Sequence, residues 1–157
     1  MRVLYYFLYI FMSQTTLVLL KPDVIHRGLV GQITARIEQR GFKIIAMKMM
    51  KLSSALLEEH YAHLVTKPFF PEIVAYMTAG PVVALIVEGD AVVAGLRQLC
   101  GATNPAESPM GTIRADFANT IRYNLIHASD SAEASEVEIK RFFKSEEICD
   151  YKKIVIE

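Results

Sequence analysis

The sequence has no glycine-rich phosphate cradle. Neither GxxxxGK[ST] nor GxGxxG occurs in its 157 residues, so a bound nucleotide must be held without a glycine loop of backbone N–H groups. It also has no excess of one charge: 17 Lys and Arg balance 17 Asp and Glu. That balance gives no general attraction to nucleic acid or to an anionic membrane, and any anion site must be a local cluster of cations. Cysteine is scarce. Cys100 and Cys149 lack CxxC spacing, so no zinc site is visible, and reduced thiols in a cytoplasmic setting are favoured over a disulfide. No apolar run reaches the roughly 20 residues that a membrane-spanning helix needs.

The run VLYYFLYIFM at residues 3–12 has the length of a signal-peptide core. Only Arg2 precedes it, however, and no small-x-small cleavage site follows. Met12 opens MSQTTLVLLKPD, which reads like an ordinary start. Residues 1–12 are therefore set apart as an apolar N-terminal extension or a misassigned start, in preference to an export signal. If translated, they form an exposed apolar tail or cover a sheet edge or subunit interface. Internal repeats, low-complexity tracts and Pro/Gly/Ser linkers are missing too, so residues 13–157 are expected to form one domain. With 52% hydrophobic and 22% charged residues, that domain can bury a core without staples.

Elements alternate along the chain. Residues 15–20 (TTLVLL) form an apolar run closed by Lys21-Pro22 and read as a buried strand. Residues 29–40 carry Leu29, Val30, Ile33 and Ile37 at helical spacing, with Gly41 as the stop. A second strand is expected over 42–52, and Ser53 caps a helix running to about Leu64. Residues 67–70 are a loop, and Pro71 suits the first turn of a short helix ending near Gly80. A third buried strand covers 81–88, and a helix opened by Asp90 places Val92, Leu96 and Leu99 on one stripe. Residues 102–117 show no clean period and read as a long ordered loop, a kind of segment that is usually functional. A short strand at 125–128 precedes a last helix begun by Asp130 and Ser131. There Glu133 is placed for a capping box, and Ile139, Phe142 and Phe143 face the core. Two βαβ units predict an α+β fold, the ferredoxin-like split βαβ: a four-stranded antiparallel sheet with helices on one face plus extra helices.

The segment NLIHASDS at 124–131 places His127 at the end of a buried strand, beside hydroxyls and a helix start. A neutral imidazole is a competent nucleophile near neutrality, its free pKa being about 6.5. A carboxylate holding one ring nitrogen would fix the tautomer and free the other; Glu138, at helical spacing from Ser131 and Ala134, can look back toward the strand end. A structural histidine followed by a helix cap is the plainer alternative. Phosphoryl chemistry also needs cations and aimed donors. Lys21, Arg97, Thr103 and Arg114 are available, although each cation alone is also explained as a solvated surface charge. Phe69 and Tyr61 offer rings on which a base could stack, with plain core packing as the alternative for Phe69-Phe70. His26, His60 and His63 have no surrounding pattern that suggests a metal.

Read in order, TLVLLKPD, RGLVGQI, PFF, GPVVALIVEG, GATNP, GTIRADF and NLIHASDS resemble the successive motifs of the nucleoside diphosphate kinase family, over residue 14 to about residue 151. The resemblance implies transfer of a γ-phosphate from a nucleoside triphosphate, usually ATP, to a nucleoside diphosphate. It implies a phosphohistidine at His127, ping-pong kinetics, Mg²⁺ carried mainly on the nucleotide phosphates, and broad base specificity. It assigns Glu138 to orient the imidazole, with Ser129 assisting and Tyr61 nearby. Lys21 and Asn124 match residues at the sugar hydroxyls, and the lysine also reaches phosphate. Arg97, Thr103 and Arg114 match phosphate ligands, while Phe69 and Ile121 match the two sides of the base slot. A homo-oligomer is implied, a hexamer in preference to a tetramer because of the tail beyond Phe143, with no nucleic acid or membrane required. Ala115 and Ala128 stand where glycine is also common in the family. A catalytically dead scaffold is disfavoured by the joint presence of these residues, and a nucleic-acid-binding domain by the neutral charge. Strict alternation would put Asn124 and His127 on opposite faces of a strand, so the backbone should bend near Asn124 and the strand begin after it.

Overall fold

Leu17 and Leu19 point to one side of the first strand and Val18 and Leu20 to the other, and all four are fully buried. A strand covered on both sides belongs inside a sheet with a layer on each face. The computed structural model, which describes residues 13–153, places it there. The expectations for residues 1–12 lie outside the described residues. β1 (Gln14–Leu20), β2 (Lys43–Met50), β3 (Val82–Gly89) and β4 (Ile126–Ala128) form one sheet in the order β2-β3-β1-β4. Every neighbouring pair is antiparallel, which is the ferredoxin-like arrangement.

The helices are α1 (Pro22–His26), α2 (Val30–Gln39), α3 (Ser54–His60), α4 (Phe70–Thr78), α5 (Val92–Cys100), α6 (Ile113–Phe117) and α7 (Ala132–Phe142). Ile33 and Ile37 of α2 and Val92 and Leu96 of α5 pack on Val18, Leu20, Val83, Leu85 and Val87. These are the two crossover helices of the βαβ units on one face. The extra helices cover the other face, where Leu57 of α3, Met77 of α4 and Phe142 of α7 meet Leu17, Leu19, Ala84 and Ile86.

Several expected boundaries shift for local reasons. The helix expected from Ser53 to about Leu64 stops at His60 and continues as a 3₁₀ turn, Ala62–Leu64. Asp90 does not open α5; Ala91 takes the N-cap position in a left-handed conformation, φ 48°. The capping box foreseen for Glu133 does not form. Ser131 is the N-cap and accepts from the Ala134 N–H, which puts Glu133 one position too early. The short helix α1 was not expected, and the loop at 102–117 contains a 3₁₀ turn, Pro105–Glu107, and the helix α6. All three are too short for a helical period to show.

β2 is an edge strand, and the register shift between Ile44 and Ala46 marks a bulge in it. The C-terminal segment covers that edge. Cys149 N–H donates to the Ile45 carbonyl at 2.8 Å, the Tyr151 hydroxyl donates to the Ile44 carbonyl at 2.7 Å, and Lys48 pairs with Glu147. Among the described residues no helix is long and apolar enough to cross a membrane.

Candidate active site

β4 enters the sheet through a bend. Leu125 adopts φ 71° although its side chain is fully buried, a strained conformation for a branched residue. The strand begins at Ile126, after Asn124, and the bend swings Asn124 onto the same side as His127. Lys21, the first residue after β1, donates to Asn124 Oδ1 at 2.5 Å, and the Asn124 amide donates to the Thr103 carbonyl at 3.3 Å. The Lys21 N–H is bonded to the Leu125 carbonyl, which ties the bend to β1.

Within β4, Ile126 and Ala128 pack into the core beneath α2 and α5. Alternation turns His127 to the opposite face, between α3 and α7. Its Nε2 lies 3.1 Å from Glu138 Oε2 on α7, and Ser129 donates to that same oxygen at 2.6 Å. Burial alone would raise the Glu138 pKa, but the bonds from His127 and Ser129 outweigh it and hold the carboxyl below its usual value. The carboxylate therefore stays charged and keeps the proton on Nε2, so Nδ1 is the ring nitrogen left for chemistry.

His127 lines a polar cavity of about 240 Å³ together with Lys21, Tyr61, Arg97, Thr103, Arg114, Asn124, Asp130 and Glu138. Arg114 reaches it from α6 and is braced by three carbonyls, those of Gly101 at 2.8 Å, Asn124 at 3.3 Å and Ile126 at 2.6 Å. Its position depends on Gly101, whose φ of 83° leaves no room for a Cβ beside Thr112. Arg97 on α5 is half-exposed and paired with Asp130. Burial, followed by the charge of Arg114, lowers the Lys21 ammonium to about 8, with Asp23 acting in the opposite sense. Burial also raises the Tyr61 phenol, with Glu138 adding to the effect, so that hydroxyl keeps its proton.

A second cavity of about 560 Å³ is continuous with the first through Lys21, Tyr61, Thr103 and Asn124. Phe69, at the start of α4, and Ile121, in the segment before β4, stand in its walls and are 47% and 60% exposed. Large apolar side chains left this open beside a cavity are suited to a flat ligand. Every residue singled out from the sequence thus falls in one of the two connected cavities, except Ser129, which lies behind Glu138.

Sequence reasoning passed over three participants. His60 is buried and packs edge-to-face against His127, with ring centroids 4.7 Å apart. Burial, then His127, drives its pKa down to about 3, so it stays neutral. Its Nε2 has no hydrogen-bond partner among the described residues. It stands next to Tyr61 in the chain, and nothing in its local pattern signals this contact. Asp130 was read only as a helix start, and Arg122 was not considered.

His60, His127 and Glu138 form the only group of three such ligands among the described residues, with one ligand atom from each within 4.8 Å. Two imidazoles and one carboxylate suit a borderline-soft ion, whereas Mg²⁺ prefers oxygens and retains several waters. Glu138 is already occupied by two hydrogen bonds. The Asp130 carboxylate lines the same cavity as the cations and is paired with Arg97, and it is an oxygen donor of the kind Mg²⁺ takes.

A family model described as nucleoside diphosphate kinase matches residues 14–148. The chain is similar to a nucleoside diphosphate kinase of Roseiflexus castenholzii, 49% identical over 140 residues, covering 89% of this chain and 94% of that protein. It is likewise 49% identical to nucleoside diphosphate kinase B of the dog, Canis lupus familiaris, over 89% of this chain and 92% of the relative. Among solved structures, a halophilic nucleoside diphosphate kinase from Halobacterium salinarum in complex with CDP superposes with a TM-score of 0.87. It is 41% identical over 90% of this chain and 94% of that one.

Proposed function

This chain belongs to the nucleoside diphosphate kinase family and is a phosphotransferase, and from that premise we propose a ping-pong reaction through a phosphohistidine at His127. The observation that carries the reading is the 3.1 Å contact between His127 Nε2 and Glu138, in a ring that lines the cation-rich cavity. Nδ1 donates its lone pair to the γ-phosphorus of a nucleoside triphosphate, usually ATP. The bond from phosphorus to the β,γ-bridging oxygen breaks with its electron pair, and the diphosphate leaves. A second nucleoside diphosphate then attacks the phosphohistidine with a terminal phosphate oxygen, and the N–P bond returns its electrons to Nδ1.

Arg97, Thr103 and Arg114 take the phosphate oxygens, where planar guanidinium groups suit the spreading charge. Lys21 and Asn124 hold the sugar hydroxyls, and Lys21 also reaches phosphate. The Tyr61 hydroxyl, kept protonated, donates near the transferring group. Mg²⁺ carried on the nucleotide phosphates would supply charge neutralisation there, and Asp130 is the carboxylate in the cavity that would help to hold it. The base stacks between Phe69 and Ile121, and stacking accepts any base because every base has a π-face. We place the protein in the cytoplasm as a homo-oligomer, a hexamer in preference to a tetramer. Its two free thiols support that setting, and the resemblance to the family supports that assembly.

Incubation with γ-labelled ATP tests the reaction. Label should appear on the protein, survive alkali, vanish in acid and pass to any nucleoside diphosphate. His127→Ala should abolish labelling with the fold intact, and labelling that persists in this variant overturns the mechanism.

A further inference from the structure

We propose that Glu72 and Arg122 read the edge of the base and rank guanine nucleotides above the others. The proposal rests on the phosphotransfer reading above, because that reading assigns the slot between Phe69 and Ile121 to a base. The two walls of the slot come from separate parts of the chain. One is α4, which carries Phe69 as its N-cap and Glu72 in its first turn. The other is the segment between α6 and β4, which carries Ile121 and Arg122. The pair Arg122–Glu72 joins these walls, and both side chains line the cavity.

Their positions are fixed from behind. Tyr123 packs edge-to-face on Tyr76 of α4, with centroids 5.0 Å apart, and its N–H is held by the Thr120 hydroxyl at 3.1 Å. The Tyr76 hydroxyl donates in turn to Asp23. Arg122 is therefore carried on a braced segment.

Stacking walls cannot distinguish bases, so discrimination must come from polar groups at the edge of the ring. Lys21, the other charged side chain in this cavity, is engaged with Asn124. That leaves one carboxylate beside one guanidinium. Guanine alone presents two adjacent donors, N1–H and the N2 amino group, which a carboxylate accepts together, and next to them the O6 acceptor for a guanidinium. Adenine offers a single amino donor beside an acceptor and cannot satisfy the carboxylate twice. Uracil has one donor between two acceptors, and cytosine, like adenine, sets a single amino donor beside an acceptor. The Arg122–Glu72 pair is half-exposed, and exposed ion pairs contribute little. Exchanging it for contacts to a guanine edge costs little, and the stronger pairing of matched charged groups with that edge replaces it.

Calorimetric titration of the full-length protein with GDP, ADP, CDP and UDP provides the test, because it reads binding without turnover. The expected result is GDP affinity roughly tenfold above that for ADP, with the ratio falling to about one in both Glu72→Gln and Arg122→Gln. Equal affinities in the wild type overturn the proposal. So does a guanine preference that survives both substitutions, or a uniform loss for all four nucleotides, which would make the pair a simple clasp. Guanine preference that depends on the pair but comes without phosphotransfer supports this inference and overturns the catalytic reading. Phosphotransfer without that preference does the reverse.

Discussion

Glu138 holds His127 by Nε2 at 3.1 Å, through an oxygen that Ser129 also occupies. The carboxylate thus decides which ring nitrogen faces the cavity. Glu138→Gln removes the charge while keeping the shape. Phosphoenzyme formation, followed by rapid-quench labelling, should slow by about 10²-fold, with little change in melting temperature. A variant that labels at the wild-type rate would show that the imidazole needs no orienting carboxylate.

Lys21 gives the pH profile a basic limb. Its ammonium is lowered to about 8 by burial and by Arg114, and the charged form is the one that binds an anionic substrate. kcat/KM should therefore fall as pH rises through about 8, since this parameter reports the free enzyme. Lys21→Arg should remove the limb, because guanidinium stays charged. Stability has the opposite slope. Between pH about 8 and 10.5 the unfolded chain keeps a proton on Lys21 that the folded chain has lost, so this residue's contribution to stability rises across that window. Thermal melts of the wild type and Lys21→Met, compared along that range, would show it.

The two thiols should react differently. Cys149 is exposed, while Cys100 is buried and its thiol is pushed up to about 11 by burial. The thiolate is the nucleophile, so iodoacetamide at mild pH should add a single label to the native protein, at Cys149. Peptide mapping after unfolding should recover the second at Cys100. Equal labelling of both residues in the native state would contradict the packing of α5.

Gly101 should tolerate no side chain. A Cβ there would lie 2.5 Å from Thr112 Oγ1 and 2.9 Å from Thr112 Cβ, on a backbone at φ 83°. Thr112 caps α6, and the Gly101 carbonyl braces Arg114. Gly101→Ala should cost about 1–3 kcal/mol of stability, read by urea unfolding. It should also raise the KM for nucleotide as Arg114 loses its seat.

The sheet and the main helices were legible because their apolar residues follow simple periods. The unbroken run at 15–20 signals a strand covered twice, and β1 is buried on both faces. The conflict between alternation and a shared site for Asn124 and His127 pointed to a bend, and Leu125 supplies it with φ 71°. Other features depend on contacts between distant segments. His60 meets His127 across 67 residues of sequence, and no local pattern encodes an edge-to-face contact between two helix-borne and strand-borne rings. Arg122 and Glu72 are ordinary surface charges until α4 and the segment before β4 are brought together. The failed capping box was a local error, since Ser131 and Asp130 are both good caps and one position separates them.

The order of strands has a consequence for synthesis. β1 is made first, but it lies between β3 and β4, and Lys21 at its end is completed by Asn124, more than a hundred residues later. On the ribosome, the first strand has neither edge paired until β3 emerges, and its second edge waits for β4. A nascent chain stalled before residue 124 holds Lys21, Arg97 and Arg114 but lacks Asn124, His127 and Glu138, so the cavity that all six line can be assembled only after those three have been made.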